Sequence, residues 1–256
     1  ALGGLLISIV GTAAAFGLNA ISYIVLIVVL LRWHPETAPR RRTSMLTAIA
    51  AGIRFCAHSD PVRRVLIRGF AFGFGAAGFQ ALLPSLVRDR LHGTEIIYGL
   101  CLAAFGAGSI VGALCVGAAR HRWGSDRVVT AASLIFAAAM LPVALTTSLG
   151  WAVVAAFVAG GAWVSMLTTL NVAMQLRSPE EILGRCLSIY QAVTFGAMAL
   201  GAYTLGLIAD LSSLPAALFI STGWLVLTAI LLRFVAPMPQ HLVDVAELAV
   251  QQAAPH

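Results

Sequence analysis

Residues 97–127 read IYGLCLAAFGAGSIVGALCVGAARHRWGSDR, and the fold turns on how this stretch is understood. From Ile97 to Ala118 there is no charged side chain, and a helix of about 20 apolar residues is long enough to cross a hydrocarbon core of about 30 Å. Small residues recur through it: Gly99, Ala104, Gly106, Gly108, Gly112 and Gly117, with Ala104, Gly108 and Gly112 spaced four apart. Lipid gives apolar helices little reason to associate, so close backbone approach through small side chains must do that work. Arg120, Arg122 and Arg127 then close the stretch. This is a membrane span followed by a short basic loop.

The same pattern recurs on both sides. Further spans are expected at 13–32, 66–87, 128–147, 151–174, 187–208 and 215–235, which makes seven with 97–118. Residues 1–10 are apolar but too short to cross, and Gly11-Thr12 breaks them from the first full span. The whole composition agrees: 256 residues, 60% hydrophobic, only 10% charged, with mean hydropathy +0.93. Soluble domains carry about 25% charged residues. A soluble monomer has too much surface per volume to hide this much apolar area.

Charge placement sets the orientation. All 16 basic residues are arginine. With the 33–65 loop on the cytoplasmic side, alternating spans put every arginine except Arg88 and Arg90 on that side, as the positive-inside rule requires. Topology therefore accounts for the net charge of +6, and nucleic acid is not needed to explain it. The linker 33–65 holds Arg40-Arg41-Arg42 and a helical stretch from Ser44 to His58. In that stretch Met45, Leu46, Ile49, Ile53 and Phe55 share an apolar side, as in a helix lying at a membrane face.

Several chemistries are excluded. Without lysine there is neither a GxxxxGK[ST] phosphate loop nor a Schiff-base lysine. Gly73-Phe-Gly-Ala-Ala-Gly78 matches GxGxxG, but it lies inside an apolar helix and not after a strand, so packing explains it better than dinucleotide binding. Cys56, Cys101, Cys115 and Cys186 form no CxxC pair and read as small hydrophobes. The histidines lack metal-ligand spacing, and no cofactor, metal or enzymatic role is expected. Local signals place helix ends: Ser178-Pro179-Glu180-Glu181 as a capping box, Asp60-Pro61 at a helix start, Ser125-Asp126 as a cap, and a local bend at Pro142.

Three features together resemble the major facilitator superfamily, whose members have two six-helix halves joined by a long cytoplasmic loop. Ala1-Leu-Gly-Gly4 looks like the tail of the fifth-helix motif GPxxGG. Gly117-Ala-Ala-Arg-His121-Arg122-Trp-Gly124-Ser-Asp126-Arg127 resembles the loop signature GxxxDRxGRR. Pro179-Glu-Glu181 followed by Gly184-Arg185-Cys-Leu-Ser188 is similar to the segment before helix eleven in the bacterial branch of transmembrane secretion effectors and siderophore exporters. The resemblance covers nearly the whole chain except the tail. His121 stands where the signature has aspartate; either Asp126 takes over its charge-pairing role or this copy lacks it.

The resemblance implies an all-α polytopic membrane protein. Residues 1–32 would be the end of helix five and helix six, 33–65 the cytoplasmic linker, 66–236 helices seven to twelve, and 237–256 a cytoplasmic tail. On this reading the chain is one part of a longer transporter whose N-terminal half is its partner, in a bacterial plasma (inner) membrane. It would export a small amphiphilic molecule by alternating access. The competing reading is a membrane scaffold or sensor bundle that transports nothing, or an inactive truncation. Polar residues inside spans are costly and mark pathways or interhelical bonds, so Gln80, Thr168, Asn171, Gln175, Gln191 and Thr194 are the substrate-path candidates. Arg122, Asp126, Glu181 and Arg185 are candidates for a cytoplasmic gate, or else solvated loop charges. Gly108, Gly112, Gly201 and Gly206 are expected to let helices 97–118 and 187–208 pack closely against the other half. No Asp, Glu, Arg or His occupies the middle third of any span.

Overall fold

A computed structural model of the protein describes residues 13, 17, 20–33, 44–145 and 148–238. Its regular structure, among these residues, is entirely helical: α1 (Ala20–Arg32), α2 (Met45–His58), α3 (Asp60–Asp89), α4 (Glu95–Trp123), α5 (Ser125–Leu145), α6 (Leu149–Arg177), α7 (Leu183–Leu211) and α8 (Leu214–Val235). The six helices α3 to α8 are each long and apolar enough to span a membrane. The chain is an all-α polytopic membrane protein. The first expected span, 13–32, is described only in part, as the short apolar helix α1. Residues 1–4, Arg40–Arg42 and the tail beyond Met238 lie outside the described residues. Two compact units divide at Ala48/Ile49; the first holds α1, and the second holds α3 to α8 with most of α2.

Local chemistry fixes the helix ends. Asp60 and Pro61 open α3 ahead of the apolar span that begins at 66, as their sequence signals, because a proline in the first turn sacrifices no hydrogen bond. Helix α4 runs past residue 118 to Trp123, and Arg120, His121 and Arg122 in its last turn suit the negative end of its dipole. Gly124 then adopts φ 79°, a backbone region a side chain would strain. The chain reverses there, so α5 starts at the next residue with Asp126 in its first turn. The expected capping box at 178–181 does not form. Ser178 ends α6 in an extended conformation, as a residue before proline prefers. A turn closed by the Ile182 amide on the Pro179 carbonyl (3.1 Å) follows, and α7 begins at Leu183 without a side-chain cap. Helix α5 continues through Pro142 to Leu145.

Packing is glycine-led. Helix α3 has 67% of its apolar window buried, against 22% for α4 and for α7. One face of α3 meets α7: Gly69 sits against Tyr190 and Thr194, Gly73 against the Thr194 carbonyl, and Gly201 of α7 against the Phe74 carbonyl. Another face meets α8, with Gly75 against Leu225 and Trp224, and Gly78 against Ser221. Ser221 donates to the Gly75 carbonyl and Trp224 Nε1 to the Ala71 carbonyl. The GxGxxG string is thus two packing faces interleaved. Helices α4 and α6 cross with Gly108 against the Phe157 carbonyl, Gly160 against the Phe105 carbonyl, and Gly112 against Gly161. Phe72, Phe79, Phe136 and Trp163 join α3, α5 and α6, with the Phe72 and Phe136 rings edge to face at 5.4 Å.

This corrects one expectation. Gly108, Gly112 and Gly201 face inward, against α6 and α3, and are not free for another half. The reason is register: Gly99, Gly106 and Gly117 lie half a turn away on α4, and a Cβ added at any of them meets nothing within 4 Å. Gly184, Gly196 and Gly206 are open in the same way on the far side of α7 from Gly201. Of the four named glycines only Gly206 belongs to an open face.

Candidate functional site

Two features carry chemistry: a buried charge cluster where α3, α5 and α8 meet, and the polar residues along α3, α6 and α7. The cluster centres on Arg68, just over two turns into α3 and only 3% exposed, and Asp126, 6% exposed. Arg68 Nη2 lies 2.6 Å from Asp126 Oδ1. It also donates to the Leu232 and Ala236 carbonyls at 3.0 and 3.1 Å, at the end of α8, where the Leu232 carbonyl also accepts the Ala236 amide. Asp126 Oδ1 accepts the Met238 amide at 2.9 Å, and Arg64 Nη1 donates to the Pro237 carbonyl at 2.7 Å. One guanidinium and one carboxylate therefore hold the end of α8, and the chain just after it, onto α3 and α5. Removing one member of a buried pair costs about 3–5 kcal/mol, because the other charge stays buried alone.

The sequence leaves Asp126 open between a solvated loop charge, a gate charge and the charge-pairing residue of the loop signature, and places Arg68 among the topology charges. The structure gives Asp126 the pairing role and corrects Arg68. Asp126 is buried because Gly124 lets α5 start at once, carrying its first turn under α8. Within the basic loop signature it is Asp126, and not His121, that pairs with an arginine. Arg68 sits in an arginine-rich helix start, with Arg63 and Arg64, and only the register of α3 distinguishes it from them. The other gate candidates do not join the cluster: Arg122 and Glu181 are exposed. Among the described residues, no ion pair links them to each other or to Arg185.

Arg185 marks a second junction. A Cβ on Gly52 of α2 would meet Arg185 Cβ and Ile189 Cδ1 of α7 at 3.2 and 3.3 Å. One turn along, Cys56 lies beside Cys186, and burial together with that neighbour pushes the Cys56 thiol up to about 12. The docked side of α2 is Gly52, Phe55 and Cys56, while Ile49 and Ile53 of the expected apolar side are 43% and 54% exposed.

The path candidates separate by environment. Gln80 is half-buried, one turn beyond Ala77 on the side of α3 that faces α7. Thr168 and Asn171 are half-buried and Gln175 exposed. They continue the stripe of α6 that bears Gly160 and Gly161, two to four turns further on. Gln191 is exposed, whereas Thr194 is 1% exposed and fills the α3–α7 seam against Gly69 and Gly73. Gln191 and Thr194 are neighbours on α7, but the first lies at the exposed edge of that face and only the second reaches the seam.

Comparison with known proteins agrees with this architecture. Residues 1–253 match the family described as Transmembrane secretion effector. The chain belongs to that family. Among curated proteins it is similar to the enterobactin exporter EntS of Salmonella choleraesuis strain SC-B67, 27% identical over 240 residues, covering 91% of this chain and 56% of the relative. The EntS of Citrobacter koseri is 28% identical over 236 residues, covering 90% and 55%. That of Escherichia coli O1:K1 is 28% identical over 210 residues, covering 80% and 49%. The chain spans about half the length of these secretion-effector relatives. It is thus a membrane protein of the major facilitator superfamily, in the branch that contains siderophore exporters.

Proposed function

We propose that the chain is the second half of a secondary active exporter, working by alternating access on a small amphiphilic substrate. The family match over residues 1–253 carries this reading. The open glycine faces of α4 and α7 support its half-transporter form: two helices with only 22% of their apolar windows buried carry small residues outward, where backbones of a partner bundle can approach. The partner would be an N-terminal half of the same transporter. Residues 1–32 would then complete helices five and six, 33–65 the linker, and 66–236 helices seven to twelve. The EntS relatives are named for enterobactin, so a siderophore is the first substrate to assay.

In this reading Gln80, Thr168, Asn171, Gln175 and Gln191 supply hydrogen bonds to the substrate along the path, and Thr194 packs the seam beside them. Arg122, Glu181 and Arg185 lie at the cytoplasmic rim with the Arg68–Asp126 pair, and the segment after Met238 begins in the cytoplasm of a bacterial inner membrane. A coupling carboxylate would have to come from the other half, since the spans here have no ionisable group in their middle thirds. The test is transport by the full-length protein in proteoliposomes under an imposed proton gradient. Saturable, uncoupler-sensitive flux of a catecholate siderophore or a cationic dye is the expected result. Absence of any flux from a folded full-length protein would favour a scaffold role.

A further inference from the structure

Just inside the Arg68–Asp126 pair, between α3, α5, α6 and α8, lies a small cavity of about 10 Å³, lined by Arg68, Thr130, Ser133, Met166, Thr228 and Ala229 among others. That is about the least room that holds one water molecule. Its walls are polar in a specific way. Arg68 Nε is buried and, unlike Nη2, has no hydrogen-bond acceptor in the protein, and the Arg68 side chain lines this cavity. The three hydroxyl-bearing residues that line it have each committed their single hydroxyl hydrogen elsewhere. Thr130 donates to the Asp126 carbonyl at 3.0 Å, Ser133 to the Val129 carbonyl at 3.0 Å, and Thr228 to the Trp224 carbonyl at 2.7 Å. A hydroxyl has one hydrogen and two lone pairs, so all three now present acceptors only. The cavity therefore offers one unmet N–H donor on one wall and surplus acceptors on the others.

We infer that this cavity is a binding site for a single structural water, which accepts from Arg68 Nε and donates to Thr228 and to one of Thr130 and Ser133. Water is the smallest species that both accepts and donates, and a group that only accepts or only donates leaves one wall unmet. A cation is repelled by the guanidinium, and an anion of any size does not fit. A buried N–H left unmet costs about 1–3 kcal/mol, and a water with about three such partners is the usual remedy in protein interiors. The water completes the solvation of Arg68 within the hydrophobic span region. It also ties α5 and α8 to α3 through one node, so the three helices move as a unit.

Met166 lines the cavity and is 1% exposed, while Met140 is 0% exposed and lies outside it. Radiolytic hydroxyl labelling of the full-length protein in nanodiscs reports bound water beside a buried sulfur. Met166 should be oxidised severalfold faster than Met140. Ala229→Val, which fills the cavity, should bring Met166 down to the Met140 rate. Thr228→Val keeps the shape but removes an acceptor, and should lower the Met166 rate as well; it decides the matter if Ala229→Val does not fold. Equal rates at Met166 and Met140 in the unaltered protein would overturn the inference. So would a Met166 rate that neither folded variant changes.

Discussion

Helices α3 and α4 are nearly the same length, 30 and 29 residues, and both are rich in glycine, yet they serve different ends. Every glycine of α3 meets a neighbour: Gly69 and Gly73 face α7, Gly75 and Gly78 face α8. The glycines of α4 divide, Gly108 and Gly112 against α6 and Gly99, Gly106 and Gly117 open. A small-residue stripe in a membrane helix thus has two meanings that spacing cannot separate. Closed stripes build the bundle. Open ones leave a backbone accessible to a helix that the described residues do not supply.

That contrast can be broken experimentally, starting where the interior is most committed. Asp126→Ala strands Arg68 among the buried ends of α3, α5 and α8. A loss of about 3–5 kcal/mol is expected, read as a large fall in thermal stability of the purified protein. The double variant Arg68→Met/Asp126→Leu should recover most of it, and no recovery would mean that the pair contributes more than its charge balance. Next in size, Gly108→Ala pushes a methyl into the Phe157 carbonyl, where backbone must move. Overpacking of this kind costs about 1–3 kcal/mol, and Gly160→Ala should behave alike.

Gly106→Ala is the sharpening control. With nothing within 4 Å it should change the stability of the chain by no more than about 0.5 kcal/mol. In the full-length protein, Gly106→Leu should nonetheless impair transport, because the bulk would stand between the two halves. If Gly106→Leu leaves transport intact, the open face of α4 meets lipid. The smallest expected effect concerns α2. Mild oxidation with diamide should join Cys56 to Cys186 within one chain, detected by peptide mapping, with little change in stability. Linkage of Cys56 to exposed Cys115 instead would show that α2 does not dock on α7 through Gly52.

How much of this was legible beforehand follows from which forces act over short range. Spans could be read because each needs only its own composition, and α3 to α8 appear where hydropathy put them. Helix α3 starts ahead of its apolar span, at the Asp60-Pro61 signal, because hydropathy ignores a helical turn as polar as Asp60 to Arg64, whereas proline and the first-turn aspartate fix the helix start. The 178–181 capping box failed because Ser178 was already ending α6. Site residues were harder. Asp126 looked like any loop charge, since its burial depends on α8 coming back over it from more than a hundred residues away. Thr194 and Gln191 share spacing but not surroundings. The glycines could be recognised as packing residues, but which face of α4 each served depends on where α6 lies.

The crossing of α4 and α6 has a mechanical side. Gly108 receives a carbonyl of α6 and Gly160 receives one of α4, and Gly112 against Gly161 repeats the notch one turn on. Sliding lengthwise would drive a carbonyl over a neighbouring side chain, and swivelling about either notch would drive the other apart. The pair is joined like two logs at a double-cut corner, held against slipping and turning alike.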